Sequence, residues 1–297
     1  PSTMTCIATL FLAAALEAMS PGASPTIETQ QELRQVISAT ERLPHRLRAA
    51  LIAEKFHLLY PSSDTSDQDD DALRRRFEAA VEAQFYSADR AITRELRDMY
   101  SLMRTRNIQT PEDLSSLAGA LLLTRDFESL AELAKDSPQL PAPDLPTMAD
   151  RTRGEASKTQ ILRVAGNTLI KDAYPIDQGK HVIIVSNPLC GFSEAASRFI
   201  DGDVELASFF KDHALWLVPP ERILHLEEVA KWNRSHHSGE MALAYRFDAW
   251  DILDQWETPI FYFFSDGRIV DEIIGWPKDS SNATQLRRAV ARFRQTP

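Results

Sequence analysis

The apolar period of this chain changes once, and a run of prolines marks the change. Up to residue 135, apolar side chains recur every three, four or seven positions, the spacing of a helix face. From residue 158 they come in short runs separated by turn residues, the pattern of buried strands and hairpins. Pro138, Pro141, Pro143 and Pro146 fall between the two. A backbone without those N–H groups and with fixed φ suits a connector. Neither a helical bundle nor a sheet alone accommodates both patterns. The 297 residues, 43% of them apolar, are enough for roughly two domains with their own cores. The expected division is an N-terminal tail over 1–26, a helical domain over 27–135, a proline-rich linker over 136–157 and an α/β domain over 158–297.

In the helical part, Leu33, Val36, Ile37, Leu43, Leu47, Leu51 and Phe56 form a first apolar stripe, which Pro44 breaks or restarts. Leu73, Phe77, Val81, Phe85, Ile92, Leu96, Met99 and Met103 then predict one long helix. Asp69, Asp70 and Asp71 precede it and suit the positive end of its dipole. Thr110-Pro111 is a helix start, with Thr110 as N-cap and Pro111 in the first turn. Leu114, Leu117, Leu121 and Leu122 face a core, and Arg125-Asp126-Phe127 turns into a last short helix. This final pair resembles one tetratricopeptide-type hairpin through Phe127, Leu130 and Pro138. No repeat of about 34 residues accompanies it, so the expectation is a helical hairpin domain rather than an array.

In the second part, residues 160–165 and 168–171 predict a hairpin about Gly166-Asn167. Residues 181–186 and 214–218 read as buried strands, and 221–257 as mainly helical. Residues 259–264 and 268–274 form a second hairpin about Ser265-Asp266-Gly267, and 280–294 close as a helix. Cys190-Gly191-Phe192-Ser193 stands between the strand 181–186 and a helix-like stretch, 194–200. Unpaired N–H groups and the helix dipole favour a thiolate at such a junction.

A Cys-x-x-Ser after a buried strand, with Thr258-Pro259 opening a late hairpin, resembles the thioredoxin-like superfamily. The hairpin ahead of Gly179-Lys180 resembles its exported TlpA-like branch. The resemblance covers about residues 158–297. It implies a thioredoxin-like α/β fold with a mixed central sheet, and so an α+β two-domain chain overall. It also implies Cys190 as nucleophile and a cis bond before Pro259. Gly191, Phe192, Thr258 and Pro259 would then line a groove for an extended protein or peptide partner.

Ser193 stands where a dithiol enzyme has its resolving cysteine. A hydroxyl has no thiol redox chemistry, but it can donate a hydrogen bond to the Cys190 thiolate. Three readings follow. The first is monothiol exchange or redox sensing on a protein partner, with mixed disulfides lasting until an outside thiol such as glutathione arrives. The second is a redox-silent, non-catalytic interaction module with the helical domain and the 221–257 insertion as partner surfaces. Trp232 to His237 and Phe247 to Trp250 lie in that insertion, as a lid or groove beside the thiol or as packing on the sheet. The third is peroxide chemistry through a sulfenic acid, but the Pro-x-x-x-Thr-x-x-Cys spacing is absent around Pro188-Leu189-Cys190. Cys-Gly-Phe-Ser also resembles the monothiol glutaredoxin signature. The stretch from Cys190 to Pro259 is too long for that family, and only Gly275-Trp276 stands where its glycine pair would be.

No resident cofactor is expected, and no metal. His236-His237 has no acid at ligand spacing, and Asp64, Asp67 and Asp69–Asp71 lack the glycine turn and terminal Glu of a calcium hand. The net charge of −10, without a basic stripe, argues against nucleic acid as partner. Residues 5–16 are apolar and 18–23 rich in small residues, which resembles a secretory signal peptide. The expected location is periplasmic or secreted. The alternative is a disordered or buried N-terminal helix in a cytoplasmic protein. No stable membrane span is expected, because the apolar segment falls short of the about 20 residues required. Removal of that segment takes Cys6 with it and leaves Cys190 as the sole thiol.

Overall fold

The computed structural model describes residues 27–61, 68–137, 145–152, 159–277, 279 and 281–295. The segment resembling an export signal, with Cys6, lies outside the described residues, as do Asp64, Asp67, Pro138, Pro141 and Pro143.

Six helices come first: α1 (Ile27–Ala39), α2 (His45–Leu59), α3 (Asp70–Ser87), α4 (Arg90–Arg106), α5 (Pro111–Leu123) and α6 (Phe127–Asp136). Pro44 is the N-cap of α2. Thr110 and Asp113 form a reciprocal capping box at the start of α5, with Pro111 in its first turn. The single helix expected over 73–103 is instead two. Ala88 takes a left-handed conformation, φ 49°. Asp89 then caps α4, its carboxylate accepting from the N–H of Ala91 at 2.6 Å and of Ile92 at 2.9 Å. The apolar spacing continues across the break because α3 and α4 bury their stripes in one core, which hides the break from a periodicity argument. Phe85, part of the expected stripe, is 51% exposed.

Among the described residues, the rest is one mixed eight-stranded sheet with four more α-helices. The strands are β1 (Thr147–Asp150), β2 (Gln160–Ala165), β3 (Thr168–Ala173), β4 (Lys180–Val185), β5 (Ala214–Val218), β6 (Glu240–Ala244), β7 (Ile260–Ser265) and β8 (Arg268–Ile274). The helices are α7 (Gly191–Asp201), α8 (Val204–His213), α9 (Leu226–Ser235) and α10 (Ala283–Gln295). The order across the sheet is β1-β3-β2-β6-β5-β4-β7-β8. Interior strand β4 runs parallel to β5 and antiparallel to β7.

Three elements differ from the sequence reading. The stretch 136–157, read as a linker, supplies β1, which pairs parallel with β3. Helix α8 precedes β5 as a second helix after α7. Within 221–257 lies β6, whose Glu-Met-Ala-Leu-Ala composition favours helix. Pairing with β5 on one side and β2 on the other overrides that preference. Gly239 makes the entry to β6 possible: its φ is +108°, and a Cβ there would meet the Ala214 carbonyl at 2.8 Å.

Alternation with period two sorts the strands' side chains onto two faces. Val182, Ile184, Trp216, Val218, Phe261 and Phe263 meet α7, α8, α9 and α10. Ile183, Val185, Leu215, Leu217, Tyr262 and Phe264 meet Ile176, Trp250 and Leu253. The six-helix region joins the sheet through specific contacts. Buried Arg125 donates from Nε to the Tyr245 carbonyl at 3.2 Å and from Nη2 to the Ala244 carbonyl at 3.3 Å. Arg222 donates to the Ser116 carbonyl at 2.6 Å, in space left open by Gly119. The His45 ring stacks on Phe247 with centroids 4.0 Å apart. Among the described residues, no helix is long and apolar enough to cross a membrane.

Candidate functional site

The loop between β4 and α7 is built by Asn187. Its side-chain oxygen accepts from the Leu189 N–H at 2.8 Å, its amide donates to Glu221 at 2.8 Å, and its carbonyl accepts from the Cys190 N–H at 2.9 Å. These bonds close a tight turn and deliver Cys190 to the N-cap position of α7 in extended conformation. Cys190 is partly exposed and has no disulfide partner among the described residues. Gly191 leaves the approach open, since a Cβ there would meet nothing within 4 Å. Leu189 and Phe192, 63% and 44% exposed, flank the sulfur with apolar surface.

Across from the cysteine, the Thr258–Pro259 peptide bond is cis. The Thr258 carbonyl lies 3.6 Å from Cys190 Sγ. The Pro259 carbonyl accepts from the Gly275 N–H at 2.8 Å, which ties this turn to the end of β8. The four-residue motif and the Thr258-Pro259 pair, 68 residues from the cysteine, therefore meet at one end of the sheet.

Burial by itself pushes the Cys190 thiol pKa up. Hydrogen bonding to the Thr258 side chain, to the Ser193 N–H and hydroxyl, and to the Phe192 N–H outweighs it, and the net shift is down. The thiol form has one opposing contact, S–H donation to the Thr258 carbonyl, but at 3.6 Å it is long. Ser193 is completely buried, and its hydroxyl makes no full hydrogen bond within the protein. Its pull on the sulfur is therefore a longer-range one, smaller than that of the Ser193 N–H and ahead of that of the Phe192 N–H.

A cavity of about 390 Å³ opens beside the sulfur, between the Pro188–Gly191 turn and α9. Glu194, Glu228, Lys231, Trp232 and His236 line it, whereas Thr258 and Pro259 do not. His236 fixes this wall. Its Nε2 lies 3.2 Å from Glu194, and its Nδ1 lies 3.0 Å from Asp201 and 2.9 Å from the Ser197 hydroxyl. Its ring packs on Trp232 at 4.3 Å. The sequence reading placed Trp232 and His236 beside the thiol as one alternative but found no acid for the histidine. The acids come from α7: Glu194, Ser197 and Asp201 are spaced by three and four, one face of a helix, and that spacing was the available signal. Asn187 carried no comparable signal. Among the described residues, no group of three or more His, Cys, Asp or Glu is arranged to hold a metal ion.

A larger cavity, about 570 Å³, lies where α2 and α4 meet the 246–256 loop, lined by His45, Arg90, Arg94, Arg246 and Trp256 among others. It contains none of the candidate site residues, and chemistry rather than size favours the smaller one. Comparison of the chain with protein-family models, curated proteins and solved structures gave no match.

Proposed function

We propose that this chain is an exported thioredoxin-like protein whose cysteine, Cys190, carries out monothiol exchange with protein partners or senses their redox state. The observation that carries this reading is the placement of a partly exposed cysteine at the N-cap of α7 with its Sγ 3.6 Å from the Thr258 carbonyl, where hydrogen bonding lowers the thiol pKa. The strand arrangement supports it. The strand that leads into Cys190 has a parallel neighbour reached through helices, and an antiparallel neighbour that begins after a cis proline and continues into a hairpin and a final helix. Export rests on the apolar segment 5–16 and the small residues after it.

In this reading the Cys190 thiolate attacks one sulfur of a partner disulfide. The new Sγ–S bond forms as the partner's S–S bond breaks, and the leaving sulfur departs with the electron pair and takes a proton from water. Leu189, Phe192 and the Thr258–Pro259 turn receive the partner's extended backbone. Ser193 cannot break the mixed disulfide, so it persists until an external thiol such as glutathione attacks it. No resident cofactor takes part.

The test is adduct formation by the native chain, in a Cys6→Ser background, with a peptide disulfide, read by intact mass. The expected result is an adduct on Cys190 that added thiol reverses and Cys190→Ser abolishes. An adduct that forms only after unfolding would leave the interaction-module reading in its place.

A further inference from the structure

We propose that the cavity between α7 and α9 is the site of the resolving thiol, and that this thiol is a small zwitterion of the amino-acid type, with one free carboxylate and one free ammonium. The inference rests on the exchange reading above and adds the class of the second substrate.

Four observations carry it. First, Cys190 borders two distinct surfaces: its Sγ lies 3.6 Å from the Thr258 carbonyl, and the residue lines the cavity, which the Thr258–Pro259 turn does not. A displacement at Sγ needs attacking and leaving sulfurs on opposite sides. A partner held at the proline turn leaves the cavity as the approach for the second thiol. Second, about 390 Å³ suits a small molecule rather than a loop of a folded protein. Third, the wall is built rather than incidental. His236, with its side chain only 8% exposed, is held by Glu194 and Asp201 and braces α9 against α7. A buried polar group in that wall, Trp232 Nε1, has no hydrogen-bond partner among the described residues. Fourth, the remaining charges are one of each sign. Glu194 is engaged by His236 and Arg198. Glu228 is 42% exposed with only a 4.0 Å approach to His225. Lys231, three residues on and so on the same helix face, has no ion pair among the described residues. Lys231 receives the carboxylate and Glu228 the ammonium.

The step balances as thiol–disulfide exchange. The small thiol loses its proton to water and attacks Cys190 Sγ. The bond between the two sulfurs forms, the Sγ–partner bond breaks, and the partner leaves as a thiolate that is reprotonated by water. A second molecule of the same thiol then frees Cys190 as a thiolate, facing the Ser193 and Phe192 N–H groups.

The test uses the full chain in a Cys6→Ser background, with Cys190 carried as its mixed disulfide with 5-thio-2-nitrobenzoate. Release of the coloured thiolate is timed with cysteine, with cysteamine, which lacks the carboxylate, and with 3-mercaptopropionate, which lacks the ammonium, at equal thiolate concentration. Lys231→Gln is expected to slow cysteine and 3-mercaptopropionate about three- to fivefold and to spare cysteamine. Glu228→Gln is expected to slow cysteine and cysteamine by a similar factor and to spare 3-mercaptopropionate. Equal effects on all three thiols, or none, overturn the cavity assignment while exchange at Cys190 stands. If the native chain cannot be labelled and the unfolded chain can, the exchange reading fails and this inference fails with it.

Discussion

Cys190 owes its chemistry to its neighbours more than to its own burial. Desolvation alone would make it an inert thiol, while the N–H groups of Ser193 and Phe192 and the side chains of Thr258 and Ser193 tip it the other way. Ser193→Ala removes one of these donors. Its alkylation at neutral pH should slow about two- to fivefold, because a net hydrogen bond contributes on the order of 1 kcal/mol. An unchanged rate would assign the lowered pKa to the backbone alone. A lowered folded pKa also has a stability sign: the ionised cysteine stabilises the fold above the free-cysteine pKa, and that contribution is lost as pH falls through the lowered value. The Cys190–Ser193 motif and the Thr258-Pro259 pair are legible in the sequence because turn chemistry and strand runs bracket them. The Asn187 bonds and the His236 cluster are not, because they depend on which helix faces which, and local spacing records only half of each pair.

Among the elements, those fixed by local rules are the legible ones. The N-cap at Thr110, the Gly166-Asn167 hairpin and the apolar runs of the strands at 181–186, 214–218 and 259–264 stand where the sequence reading expects them. The elements it misses depend on partners distant in sequence. The α3–α4 break is local in cause but hidden by a stripe that serves two helices. Asp89→Ala tests it: losing a cap that accepts from two N–H groups should destabilise the chain by about 1 kcal/mol in urea unfolding. No change would mean the left-handed turn at Ala88 holds without it. Strand β6 is the opposite case, a helix-prone pentapeptide held extended by strands on both sides.

At the scale of the molecule, the helical region is fastened to the sheet by groups that dislike being there. Arg125 is buried, and desolvation lowers its pKa to about 10, yet its guanidinium satisfies three carbonyls, those of Leu122, Ala244 and Tyr245. Arg125→Ala should cost about 2–3 kcal/mol, since hydrogen bonds from a charged group are lost and buried carbonyls are left behind. Thermal unfolding that stays at the wild-type midpoint would contradict that role. His45 gives the junction a pH dependence. Burial, aided by Arg48, lowers its pKa to about 4, so between the ordinary value of 6.5 and 4 the unfolded chain binds more protons than the folded one. Stability should therefore fall as pH drops through that window, and His45→Phe, which keeps a ring against Phe247, should flatten the fall. None of this docking is legible in the sequence, because Arg125, Arg222 and His45 read there as ordinary turn and helix residues.

The most direct measurement is the alkylation rate of Cys190 against pH, read by intact mass on the native Cys6→Ser chain. An activated site nucleophile predicts full reaction in the native state, with a rate midpoint well below the free-cysteine value of about 8.5. A midpoint at or above that value, or reaction only after unfolding, would contradict it and leave Cys190 a structural thiol.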